Sequence, residues 1–339
     1  MIELLMQYGL FLAKAITIVI AIGFVAAIIV GSARRERSGE RLEVTNLNRK
    51  YEGMTRILRT ESLSKKALKE WEKSEDARKK KRRRANTDND KRMFVLDFDG
   101  DIKATAVSAL REEITAILSF IRKEDEVVVR LENAGGLVHE HGFAASQLMR
   151  IRQKGIPLTV IVDKVAASGG YMMACVANRI IAAPFAVIGS IGVIAQLPNF
   201  HRLLDRHGVD FEQIKAGDFK RTVTFFGKNT EKDREKLKEE IEDTHALFKE
   251  FVVENRPGLD VARISTGEHW YGSRALELNL VDELMTSDDY LLAASGNSDL
   301  YEVRYTAKKS VGERIAAAMQ ENMEKLFLSG CRFFSHPGF

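Results

Sequence analysis

Residues 158–177 read Leu-Thr-Val-Ile-Val-Asp-Lys-Val-Ala-Ala-Ser-Gly-Gly-Tyr-Met-Met-Ala-Cys-Val-Ala. A buried strand at 158–162 runs into small residues, then Ser168, then Gly169 and Gly170, then an apolar helix predicted over 170–177. Small residues let the backbone turn sharply and keep a serine hydroxyl accessible. Gly169 lets a substrate carbonyl approach the backbone N–H of the turn, and the following helix aims its N-terminal N–H groups at the same place. A nucleophile at such a junction gains an oxyanion donor from the neighbouring backbone. The same residues also suit a serine that simply caps a buried helix. Both readings stand on this stretch alone.

Upstream, the chain alternates strands and helices. Strands are predicted at 94–97 and 126–131 and helices at 107–122 and 142–154. Downstream come a strand at 179–182 and a long charged helix at 231–254. Strands at this spacing between helices argue for an α/β domain with a largely parallel sheet. The domain is expected to span 93–285, with a C-terminal extension at 286–339 that carries an amphipathic helix over 311–328. A second glycine pair, Glu132-Asn133-Ala134-Gly135-Gly136, follows the strand at 126–131, and its N–H groups could supply a second oxyanion donor.

Two further regions precede the domain. Residues 1–33 hold a 22-residue apolar run at 9–30, whose only charge is Lys14. A helix of about 20 apolar residues spans a bilayer. A cleaved leader is the rival reading, with Gly31-Ser32-Ala33 as the cleavage site. However, no Lys or Arg precedes Gly9, and the run exceeds the usual apolar core of a leader. The expectation is an uncleaved single-pass anchor. Residues 34–92 form a charged arm with 21 Lys+Arg against 11 Asp+Glu, a net of +10. The whole chain of 339 residues carries +4, so the remainder is net −6. The arm reads as a solvated linker with a lipid-facing alternative. No aromatics interleave with its basic run at 79–84, so no nucleic-acid partner is expected.

Other chemistries find little support. The two cysteines, Cys175 and Cys331, form no CxxC pair, which excludes a disulfide scaffold and a cysteine zinc cluster. Asp97 and Asp99 imitate the first motif of a magnesium-dependent aspartyl phosphatase, but Asp101 stands where that motif wants threonine, so a surface turn is expected. The seven histidines make no ligand set, and His139 and His141 are read as structural or surface residues. Gly227-Lys228 lacks the upstream glycine of a P-loop. A Ser168 nucleophile would still need a base. No histidine sits in a setting suggestive of one, so lysine becomes the candidate.

The combination resembles the SppA/SohB-type membrane serine peptidases, the signal peptide peptidase family, whose fold is Clp/crotonase-like, a repeated ββα unit with a largely parallel sheet. Ala167-Ser168-Gly169-Gly170-Tyr171 is similar to its nucleophile motif, and Gly189-Ser190-Ile191-Gly192-Val193 to its next signature. Lys215-Ala216-Gly217-Asp218-Phe219-Lys220 resembles the segment that ends in the catalytic lysine. Tyr271-Gly272-Ser273-Arg274-Ala275-Leu276, with Leu280-Val281-Asp282, resembles the closing motif. The 132–136 loop looks like the family's Ser-Pro-Gly-Gly, with Asn133 for Ser and Ala134 for Pro. The single anchor and single peptidase unit resemble the one-unit branch of that family.

The resemblance implies Ser168 as nucleophile, Lys220 as general base in preference to Lys215, and Ser190 as the group that orients the lysine ammonium. It implies Gly169, Gly135 and Gly136 as the oxyanion hole, and neither metal nor cofactor. A lysine ordinarily titrates near 10.4 and must be neutral to act as base, which burial in an apolar setting promotes. Val223, Phe225 and Phe226 could contribute to that setting. In the family the lysine of a one-unit chain reaches a neighbour's serine, so a homo-oligomer is implied. The expected activity is a serine endopeptidase of the cell inner membrane, acting on signal-peptide remnants or unfolded membrane-associated chains. The alternative is a catalytically silent peptide- or partner-binding scaffold on the same fold. Lys and Arg counts place the body in the cytoplasm, whereas the family precedent places it outside.

Overall fold

The first described elements stand where the charge pattern suggested a linker. The computed structural model describes residues 41–85 and 91–306. The anchor expected at 9–30 and the helix expected at 311–328 lie outside the described residues, among which no helix is long and apolar enough to cross a membrane. The chain divides into two units, residues 1–42 with 305–339 and residues 43–304. Only the residues at 41–42 and 305–306 of the first are described.

Three elements replace most of the expected linker: strand β1 (Arg41–Asn46) and helices α1 (Leu47–Ser62) and α2 (Lys65–Ala85). The Asn46 side chain caps α1 by accepting the Arg49 N–H at 2.9 Å. Leu47, 1% exposed, enters the core, and Tyr51 packs beside it. The domain body therefore begins near residue 43 rather than 93. Leu47 is the one buried residue of α1; Met54, Ile57 and Leu58 are exposed.

The chain then runs β2 (Arg92–Gly100), α3 (Val107–Leu118), β3 (Glu126–Asn133), α4 (Val138–Gln153), β4 (Leu158–Val162), β5 (Val165–Ala167) and α5 (Gly169–Ala174). β6 (Arg179–Ala182), β7 (Val187–Gly189), α6 (His201–Arg206), α7 (Glu231–Asn255) and α8 (Val261–Ile264) follow. The last elements are β8 (His269–Tyr271), α9 (Gly272–Glu277), β9 (Glu283–Leu284), α10 (Ser287–Ala294) and β10 (Asp299–Thr306). The sheet order is β1-β10-β2-β3-β4-β6-β9, and a branch of β5, β7 and β8 leaves the end of β3. β2 to β6 pair in parallel, as expected, and β7 with β8 is antiparallel.

Helices cover both faces of the sheet, so both parities of each strand are apolar. Phe94, Leu96 and Phe98 of β2 face one core with Val127, Val129 and Leu131 of β3. Met93, Val95 and Val128 face the other, beneath Leu47 and Leu291. The segment expected as a C-terminal extension instead continues the fold: β10 lies between β1 and β2, pairing Leu300 with Met93. Asp97 lies within β2 and is ion-paired by Arg130 and Arg304, at 2.8 and 3.0 Å, which gives it a structural role.

Candidate active site

Three parallel strands end side by side. β3 stops at Asn133, β5 at Ala167 and β7 at Gly189, with Asn133 opposite Ala166 and Ala167 opposite Gly189. The residues just beyond these ends are therefore neighbours: the Ala134-Gly135-Gly136 loop, Ser168, and Ser190. Ligands characteristically bind beyond the C-terminal ends of parallel strands.

Ser168 stands at the N-cap position of α5, but it does not cap it. Its side chain makes no capping hydrogen bond, and its backbone has φ 52° and ψ −119°. An N-cap serine sits in the extended region with its oxygen on a helix N–H. Here the backbone occupies a region that a non-glycine residue enters only at the cost of strain. The fold holds it there through the Ser168 N–H, which donates to Gly189 O at 2.7 Å. The capping reading is therefore not what the structure holds: Ser168 is half-buried and its side chain caps nothing. Ser190 repeats the device at the end of β7, with φ 52° and its N–H donating to Glu268 O at 2.7 Å.

The glycine loop presses against this elbow. Gly135 has φ +92°, and a Cβ there would meet the Ser168 Cβ at 2.7 Å and the Gly169 nitrogen at 2.9 Å. No side chain fits, so loop and elbow share a backbone-to-backbone contact. The Gly135 N–H donates to Asn133 Oδ1 at 2.8 Å, which turns it inward. The N–H groups of Gly136 and Gly169 make no hydrogen bond among the described residues. Both lie where the loop meets the elbow.

Two residues of the site carry no catalytic signature in the sequence. Asn133 is 1% exposed and His141 is fully buried. Their side chains meet at 3.2 Å through Asn133 Oδ1 and His141 Nε2. A Cβ on Gly169 would fall 2.4 Å from the imidazole, so the ring lies directly beneath the residue after the serine. The signal was present in spacing: His141, Ala144, Ala145 and Leu148 follow the core-facing stripe of α4.

Lys220 makes no bond to these residues. It is an exposed residue of the long segment between β7 and α7, with its N–H on Gly217 O at 3.2 Å. No hydrogen bond joins it to Ser168 or Ser190 among the described residues. Lys215, its rival, instead buttresses the turn: its ammonium donates to Asp218 O and Arg221 O at 3.2 and 3.1 Å. Phe225 and Phe226 do not shelter Lys220; Phe226 packs against Phe225, Phe200 and Phe211. No cluster of His, Cys, Asp and Glu able to hold a metal occurs among the described residues.

Residues 3–148 match Peptidase family S49 N-terminal, and residues 150–300 match Peptidase family S49. The chain is 49% identical over 333 residues to the probable protease SohB of Haemophilus influenzae, covering 94% of each chain. It is 46% identical over 303 residues to the probable protease SohB of Buchnera aphidicola subsp. Schlechtendalia chinensis, covering 86% of this chain and 99% of that one. A solved structure of the 1510-N membrane-bound stomatin-specific protease, a mutant bound to a substrate peptide, is 13% identical with a TM-score of 0.45, covering 69% of this chain and 99% of that one. With near-complete coverage of curated relatives at almost half identity, this chain belongs to peptidase family S49.

Proposed function

We propose that the protein is a membrane-anchored serine endopeptidase with a Ser168–Lys220 dyad. Ser168 Oγ attacks the peptide carbonyl and passes its proton to the Lys220 amine. The carbonyl oxygen becomes an oxyanion facing the Gly169 and Gly136 N–H groups. The proton then moves to the leaving nitrogen, the C–N bond breaks, and water hydrolyses the acyl-enzyme by the reverse proton path. Ser190 orients the lysine. The observation that carries this reading is the strained, uncapped Ser168 held against the Gly135 loop.

The dyad is completed by a second copy. A lysine works as a base only where burial disfavours its ammonium, and Lys220 is exposed in the single chain. Its segment turns apolar side chains outward: Ile194 is 76% exposed, Ile214 98% and Phe219 51%. An exposed apolar surface of this kind favours association. The substrate is an unfolded or membrane-derived peptide with apolar side chains. Ile102, Leu137 and Val138 form an exposed apolar rim beside Gly136, where Leu137 N–H donates to Ile102 O.

The test uses full-length oligomers. Ser168→Ala and Lys220→Ala should each abolish peptidase activity while assembly is retained. Full activity in either variant sinks the dyad. A covalent adduct of an active-site acyl probe on Ser168 excludes a silent peptide-binding scaffold.

A further inference from the structure

We infer that His141 is a positioning residue of the acyl-transfer site, acting through Asn133 on the oxyanion loop; the inference rests on the peptidase reading above. His141 lies on the core-facing side of α4 with no exposed surface. Its Nδ1 faces Leu137 O at 2.9 Å and its Nε2 faces Asn133 Oδ1 at 3.2 Å. The same Oδ1 accepts the Gly135 N–H at 2.8 Å. Only an acceptor can receive that N–H, so the oxygen of the Asn133 amide is the atom that faces the ring. A proton on Nε2 completes the chain from ring to carboxamide to loop, and because Leu137 O is also an acceptor, only a ring protonated on both nitrogens donates at both ends.

The consequence falls on the neighbouring amide. With its N–H committed inward, Gly135 holds one orientation of the peptide that follows, which carries the Gly136 N–H. Asn133 also anchors the other side. Its carbonyl oxygen would lie 2.1 Å from a Cβ on Gly170, and its Nδ2 reaches Met173 Sδ at 3.4 Å. The imidazole is itself packed under Gly169. One buried pair thus supports both candidate oxyanion donors, Gly136 from below the loop and Gly169 from below the elbow. A histidine that only filled space would not need both nitrogens placed against oxygens.

Replacement by amides separates the two nitrogens. The Gln side-chain nitrogen lies as many bonds from Cα as His Nε2, and the Asn nitrogen as many as His Nδ1. Full-length oligomers of wild type, His141→Gln, His141→Asn and His141→Phe are compared for kcat and KM on an apolar peptide. Affinity is measured for a peptide aldehyde, which forms a tetrahedral adduct, and for the product peptide. Amide exchange is followed over residues 133–137. His141→Gln should stay within about threefold of wild-type kcat, whereas Asn and Phe should lose about 10- to 100-fold, less than deletion of an oxyanion donor, with KM within about twofold. Aldehyde affinity should fall in parallel while product affinity holds, and the Gly135 amide should exchange faster. Wild-type kcat in His141→Phe, or equal losses in Gln and Phe, overturns the proposal. If Phe does not fold, the Gln–Asn split decides. If wild type itself cleaves no peptide, the peptidase reading fails separately, and unchanged Gly135 exchange in His141→Asn overturns the role of His141.

Discussion

Gly135 and Ser168 touch so closely that a single methyl on the glycine would sit 2.7 Å from the serine Cβ. The contact ties the geometry of the loop to that of the elbow. Gly135→Ala adds both this clash and a left-handed φ that alanine resists. It should lower kcat/KM by about 10²-fold or more, comparable to loss of an oxyanion donor. Melting by circular dichroism should show a cooperative fold. An alanine variant with wild-type turnover would mean that the loop takes no part in the chemistry.

Mixing two inactive chains distinguishes a dyad built between copies from one built within a chain. Ser168→Ala and Lys220→Ala oligomers, dissociated and reassembled together, should recover activity. Random pairing across a head-to-tail contact pairs a wild-type serine with a wild-type lysine at about one site in four. Recovery near zero in verified mixed assemblies would place both residues in one chain.

Asn48 links α1 to the C-terminal part of the body. Its Nδ2 donates to Ser295 O and Ser298 O, both at 2.9 Å, and its Oδ1 accepts the Leu300 N–H at 2.7 Å. Asn48→Ala should destabilise the body by about 2–4 kcal/mol, since three partly buried backbone groups lose their partner. Chemical denaturation checks the figure. A change near zero would show that the helix is dispensable to the sheet.

Glu126 sets an acid limit on stability. Burial alone would raise its pKa, but Lys91, Thr159 and Tyr290 donate to it at 2.7, 2.7 and 2.9 Å and hold it below the ordinary carboxylate range. Burial and the Glu126 charge in turn push the Tyr290 hydroxyl up to about 12. A carboxyl depressed in the folded state stabilises fully above its unfolded value, near 4.3, and this contribution is lost as pH falls through the lower folded value. Melting temperature should drop on acidification below about pH 4.3, and Glu126→Gln should flatten that slope while melting lower at neutral pH.

Much of this was legible from the residues. Strands at 94–97, 126–131, 158–162 and 179–182 all fall within observed strands, because helices on both faces demand unbroken apolar runs. The turn at Ser168 was legible as a pattern of small residues, but that its side chain leaves the helix uncapped shows only in φ and the empty cap position. α1 was only faintly legible, in weak helical spacing around Leu58, because Leu47 is its one buried residue and Met54, Ile57 and Leu58 stay exposed. β10 is hard to read from sequence because only Leu300 and Val303 of it are buried, while Tyr301, Glu302, Arg304 and Tyr305 look like surface and are held in a strand by pairing with β2 and β1. His141 was read as structural or surface because sequence distance conceals its contact with Asn133, eight residues away.

The backbone at Ser168 has one further consequence. Glycine enters a φ of 52° with a ψ of −119° more readily than any other residue, so this fold does not prefer its own serine. A glycine at 168 would relax the turn, set against the entropy it adds to the unfolded chain, and on the peptidase reading it would leave the chain inert. Any selection of such chains for heat resistance or expression alone will drift toward inert variants, unless turnover is scored in the same screen.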